Sequence, residues 1–231
     1  MNRLFAGRRT RIAGWLYLIV VVTGVFSLAY VPGQVFVSGD AHATATNIAA
    51  REALFRWGIF GFVLEQFAFL ALALELHRVL RATSNAAATL MLILVAISVP
   101  FALVCCTHLL DALSWATGAG NAQGFDRGQT DAMVAQAIDG YRHGMALVGA
   151  FWGLWLLPLA WLVAKSRLLP RILAWLLAGG GVGYLVDTGC KLLWPEYRAS
   201  ALADYATLPA ALGEIGTCLW MLVFGIRRPV D

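Results

Sequence analysis

The stretch AATLMLILVAISVPFALVCCT, residues 87–107, runs for 21 positions without a charged side chain. The hydrocarbon core of a bilayer is about 30 Å thick and takes roughly 20 apolar residues of helix, so this segment alone is long enough to cross a membrane. It belongs to a longer run over about 87–117, and Pro100 near its middle is expected to kink the helix, because proline lacks the backbone donor. Five further runs of the same character lie at about 12–31, 53–80, 141–164, 172–194 and 209–226. The first has 20 residues and follows Arg3, Arg8, Arg9 and Arg11. The Arg8-Arg9 pair and Ala41-His42-Ala43 offer a signal-peptide alternative, but a signal core holds only about 7–15 apolar residues, and the run reads as a retained first span.

Composition agrees. Of 231 residues 60% are hydrophobic and 13% charged, where a soluble domain is about 45–50% apolar and about 25% charged. Six spans need about 120 residues, which leaves short connections and no sizeable soluble domain. The expectation is an all-α, integral membrane bundle of six transmembrane helices forming a single domain over 1–231. A disordered chain, a coiled coil and an ordinary soluble enzyme are excluded. The formal net charge of +4 comes from basic residues at helix ends, where they anchor and orient spans. No nucleic-acid motif accompanies them, and no nucleic-acid partner is expected.

Basic residues also predict orientation. With the N-terminus inside, the inner ends carry Arg3, Arg8, Arg9, Arg11, Arg78, Arg81, Lys165, Arg167, Arg171, Arg227 and Arg228, 11 in all, against 6 at the outer ends: Arg51, Arg56, Arg127, Arg142, Lys191 and Arg198. The positive-inside rule then places both termini in the cytoplasm. Residues 118–140, polar and Gly-rich, read as a loop between the third and fourth spans. Gly149/Gly153 and Gly179/Gly183 are small-xxx-small pairs that let helix backbones approach closely, here read as internal packing before a dimer face. Trp57, Trp115, Trp194 and Tyr197 at the outer ends, with Trp15 and Trp161 at the inner ones, read as interfacial belts.

Several stretches resemble the bacterial family of membrane proteins known as domain of unknown function 4386: residues 52–59 (EALFRWGI), 151–158 (FWGLWLLP) continuing into 165–171 (KSRLLPR), 183–187 (GYLVD), and 209–225 with Glu214. The resemblance spans nearly the whole chain in order. It implies a six-helix bundle in a bacterial inner (plasma) membrane and carries no settled activity. The chain departs from the family pattern at Ala174, where Gly is usual, and near His108, where Asn is usual, so no role of His108 is carried over from the family.

Ionisable side chains within spans are costly, about 2.5–3.5 kcal/mol each on insertion scales, and each is therefore a site hypothesis. Arg56 and Glu65 on the second span, His108 and Asp111 on the third, His143 on the fourth, Asp187 on the fifth and Glu214 on the sixth leave the inner half nearly free of charge. The expectation is a polar pocket in the outer half, with Arg56, Glu65, Asp187 and Glu214 as ligand-binding candidates. Arg56 is expected to be the buried cation, with Asp187 or Glu214 as its partner, although Glu52 also lies at the favourable i,i+4 spacing. His108, Asp111 and His143 are the catalytic candidates and the weak candidates for a metal, the first two at i,i+3. No His-x-x-x-His or His-Glu-x-x-His spacing is present, and no metal site is expected.

The leading functional reading is a small-molecule or lipid-binding pocket, with the lipid bilayer itself as surroundings. One alternative is a membrane-embedded hydrolase or transferase on a lipid substrate, with or without a metal, since these residue types serve metal binding and acid/base chemistry. Another is a small-solute transporter. Only Glu65, Ser98 and Glu75 offer polar groups along an inner path, which argues against a continuous ion route. A redox role for Cys105, Cys106, Cys190 and Cys218 finds no Cys-x-x-Cys. No motif names a cofactor or an oligomeric state. Asp40 and His42, in the first outer loop, have no evident role.

Overall fold

A computed structural model describes residues 2–119 and 124–225, leaving aside the side chains of residues 2–10, 198 and 199. The expected anchors Arg3, Arg8, Arg9, Arg198, Arg227 and Arg228, and the middle of the Gly-rich loop, lie outside this set. The described elements are helical throughout: α1 (Asn2–Gly24), a π-helical segment (Val25–Tyr30), α2 (Val31–Val35), α3 (Ala41–Ala50), α4 (Glu52–Leu80), α5 (Asn85–Thr117), α6 (Arg127–Ser166), α7 (Arg171–Leu193), a 3-10 turn (Pro195–Ala199), α8 (Ala201–Tyr205) and α9 (Leu208–Val223). Six segments are long and apolar enough to cross a membrane: Arg11–Val35, Glu52–Leu80, Asn85–Thr117, Arg127–Ser166, Arg171–Leu193 and Ala201–Val223. The six expected spans are thus present. Pro100 lies within α5, which runs on through it.

Two boundaries depart from expectation. Residues 127–140 are helix, not loop, so α6 has 40 residues. The local cause is a capping box, in which an N-cap side chain and the residue three on satisfy each other's backbone donors. Asp126 Oδ1 accepts from the Gln129 N–H at 2.8 Å, and Gln129 Oε1 accepts from the Asp126 N–H at 2.9 Å. At about 1.5 Å per residue α6 is roughly 60 Å long, twice the hydrocarbon thickness. The first connection likewise holds a helix, α3, because Asp40 Oδ1 caps it by accepting from the Ala43 N–H at 2.8 Å. Asp40 therefore has a structural role, and so does His42, whose Nδ1 lies 2.7 Å from Asp131 Oδ2 on α6.

The chain divides into two compact units. The first is drawn from Met1–Val20, Ala68–Val99 and Ala146–Asp231, the second from Val21–Phe67 and Pro100–Met145. In the first, Trp155 is only 1% exposed and meets Phe69 edge to face at 4.9 Å, so it is core and not pocket lining. Gly153 on α6 and Gly181 on α7 cross closely: a Cβ at Gly153 would lie 2.7 Å from the Gly181 carbonyl oxygen, and one at Gly181 would lie 2.9 Å from that of Gly153. Gly153 of the small-xxx-small pairs is thus used inside the bundle. In the second unit α5 and α6 approach in the same way. A Cβ at Gly144 would overlap the Cys105 sulfur, and one at Gly140 would lie 3.2 Å from the His108 ring.

Candidate functional site

In the second unit, the turn-by-turn spacing of α5 places His108, Asp111 and Trp115 on one face, because residues three to four apart are neighbours on a helix. On α6 the same spacing aligns Gln136, Asp139, Gly140 and His143. These two faces enclose an open cavity of about 690 Å³, completed by Met133 and Ala137. Its volume lies within the usual range of small-molecule sites, roughly 300–1,000 Å³.

The side chains in it are only loosely engaged with one another. His108 Nδ1 is 3.8 Å from Asp111 Oδ2, beyond hydrogen-bond length, and the two side chains are 44% and 61% exposed. Asp139 Oδ1 is 3.3 Å from Arg142 Nη1, and the Arg142 guanidinium lies over the Phe36 ring at 5.5 Å. His143 is exposed. Trp115 is held edge to face by Phe125, with ring centroids 5.5 Å apart. Among the described residues no group of three or more His, Cys, Asp and Glu side chains is placed to hold a metal ion, so His108, Asp111 and His143 share a cavity without converging as ligands.

The other sequence candidates lie elsewhere. Arg56 is not a buried cation: its side chain is 57% exposed, and its Nε donates to Glu52 Oε1 at 2.7 Å. The i,i+4 carboxylate satisfies it locally, with no help from Asp187 or Glu214. Glu65, also in the second unit, is 7% exposed and packs against Gly24, where a Cβ would lie 3.2 Å from Glu65 Oε1.

Asp187 and Glu214 belong to the first unit, each with its own partner. Asp187 Oδ2 accepts from Lys191 Nζ at 2.6 Å and Oδ1 from the Tyr197 hydroxyl at 3.0 Å. Tyr197 is fully buried and so is no interfacial aromatic; burial pushes its phenol up to about 12, and the hydrogen bond to the Asp187 carboxylate adds to the shift. The next residue, Thr188, donates to the Ala146 carbonyl at 3.1 Å, which ties α7 to α6. Glu214 Oε1 accepts from the Tyr17 hydroxyl at 3.3 Å, which ties α9 to α1. All four cysteines are free thiols.

Trp115, Gln136 and Asp139 were not anticipated as site residues. Trp115 reads as an interfacial aromatic, and the other two fall in a segment read as loop. Asp126-x-x-Gln129, a capping-box pattern, was the signal that would have put them on a helix.

Fold and composition together define a helical polytopic membrane protein. The sequence profile of the family described as "Domain of unknown function (DUF4386)" matches residues 12–225. The chain belongs to that family. Comparison with curated proteins and with solved structures returned no match.

Proposed function

We propose that the cavity between α5 and α6 is a binding site for a polar small molecule or a lipid headgroup, in a protein of the bacterial inner membrane with both termini cytoplasmic. The observation that carries this reading is that His108, Asp111, Asp139 and His143 line one open space of about 690 Å³. Buried polar groups are normally consumed by protein partners, whereas exposed ones stay open to water and to a ligand. Here Asp111 and Asp139 are 61% and 56% exposed; Asp139 accepts from Arg142 at 3.3 Å, and Asp111 stands 3.8 Å from the His108 ring. Asp187 and Glu214 serve instead to hold the first unit together. Arg56 pairs with Glu52, and Glu65 packs against Gly24.

A second, catalytic reading draws on the juxtaposition of His108 and Asp111, since a carboxylate beside an imidazole is the arrangement that orients a general base. A lipid hydrolase or transferase would use that pair.

The test is extraction of the protein from its host membrane into polymer discs, followed by mass spectrometry of co-purified small molecules and lipids. Gln136 is exposed at the cavity wall, so Gln136→Trp fills the space without disturbing the core. The proposal expects a species bound to the wild type and depleted several-fold from Gln136→Trp. The same species at equal occupancy in both proteins would overturn it.

A further inference from the structure

The ligand class follows from which charges line the cavity and which do not. Resting on the binding-site reading above, we infer that the cavity takes an ammonium group, either the headgroup amine of a lipid or a free amine, held by Asp111 and Asp139 and covered by the Trp115 ring. Among the described residues the lining includes Asp111, Asp139, His108 and His143, and no lysine or arginine. An anion entering this space would meet two carboxylates, one of them already paired with Arg142.

Arg142 is the cation nearest to hand, and it does not line the cavity. Its guanidinium lies over the Phe36 ring at 5.5 Å, and its Nη1 donates a hydrogen bond to Asp139 Oδ1 at 3.3 Å. That leaves Asp139 partly satisfied. Asp111 is the more available carboxylate, with His108 as its neighbour at 3.8 Å. Trp115 stands one turn beyond Asp111 on the same face of α5, and Phe125 braces its indole edge to face. Tryptophan is the strongest aromatic partner for a cation, most so when water is partly excluded. A carboxylate and an indole four residues apart on a helix thus stand side by side on the wall of one cavity. Gly140 adds room: the His108 ring occupies the place where a side chain at 140 would otherwise stand, so the imidazole lies back against α6.

The experiment uses the full chain in two kinds of nanodisc. In discs of phosphatidylglycerol alone, choline and inorganic phosphate are titrated in separate calorimetric runs. In discs with added phosphatidylethanolamine, native mass spectrometry reads which lipid stays on the protein. The inference expects choline binding in the first discs, selective retention of phosphatidylethanolamine in the second, or both; the arms separate a free amine from a lipid headgroup. Asp111→Asn should weaken whichever is seen by about tenfold, the scale of one desolvated charge contact. Asp139→Asn should weaken it less, and Trp115→Leu several-fold. Asp111 is mostly exposed, so its variant should keep the wild-type unfolding temperature, which separates binding loss from misfolding.

Phosphate binding without choline or phosphatidylethanolamine, or an Asp111→Asn protein that binds either amine as well as wild type, would overturn the ammonium assignment. In that event the Gln136→Trp comparison still decides the site. A ligand lost on filling the cavity leaves the site and removes only the chemical class, whereas a ligand kept on filling it removes both.

Discussion

Asp187 in the first compact unit and the cavity carboxylates in the second stand in opposite surroundings. In the first, Asp187 is 6% exposed and both of its carboxylate oxygens are engaged, by Lys191 at 2.6 Å and by Tyr197 at 3.0 Å. In the second, Asp111 and Asp139 are more than half exposed; Asp139 accepts from Arg142 at 3.3 Å, and Asp111 stands 3.8 Å from His108 Nδ1. Leaving a buried polar group without a partner costs about 1–3 kcal/mol, and more for a charge, which explains why the first unit's charges are saturated. Loosely held, half-exposed charges contribute little to stability. The difference teaches that ionisable residues alike in the sequence divide into those engaged by partners in the core and those left half-exposed on a cavity wall.

Substitutions should separate the two units by what they damage. The largest effect is expected at the helix crossing of the first unit. Gly153→Leu places a side chain where even a Cβ would lie 2.7 Å from a backbone carbonyl, and overpacking of this kind costs about 3 kcal/mol or more. Yield and thermal unfolding in detergent should show loss of folded protein. Asp187→Asn comes next, with about 2 kcal/mol lost because Lys191 and Tyr197 each lose a charged acceptor. A variant as stable as wild type in denaturant unfolding would break the contrast between the units.

The same network sets a pH limit. Tyr197 has its folded value raised from 10.0 to about 12. Its contribution is fully present below pH 10 and is lost as pH rises from 10 through 12, because only the protonated phenol donates to Asp187. The unfolding temperature should fall across that window in wild type and less so in Tyr197→Phe. In the second unit, Asp126→Ala removes one side of the α6 capping box and should cost about 1 kcal/mol, with hydrogen exchange rising over residues 127–133. The smallest stability changes are expected at the cavity. Asp111→Asn and His143→Ala should stay within about 0.5 kcal/mol of wild type, as exposed substitutions do. A stability loss as large as that of Asp187→Asn would mean that the cavity charges are structural after all.

The spans were legible because an apolar run of membrane length has few competing readings, and residues 87–107 settled the class alone. Helix ends were less so: polar composition hid the first turns of α6, although Asp126 and Gln129 carried the signal. His108, Asp111 and His143, grouped by residue type and depth, do share one cavity, because helical spacing persists in the folded helices. Arg56 misled because its charge suggested a distant partner while Glu52, one turn away, already satisfied it. Tyr197 was out of reach for a different reason. Its contact with Asp187 depends on the chain turning back after Trp194 through the 3-10 segment, and helical periodicity does not register such a reversal.

The central claim is that the space between α5 and α6 holds something other than protein. A density map of the protein extracted with its native lipids tests this directly. The account predicts ordered non-protein density against Asp111 and Trp115, absent from Gln136→Trp. A wild-type map in which His108, Gln136 and His143 close over one another and fill that space would contradict it.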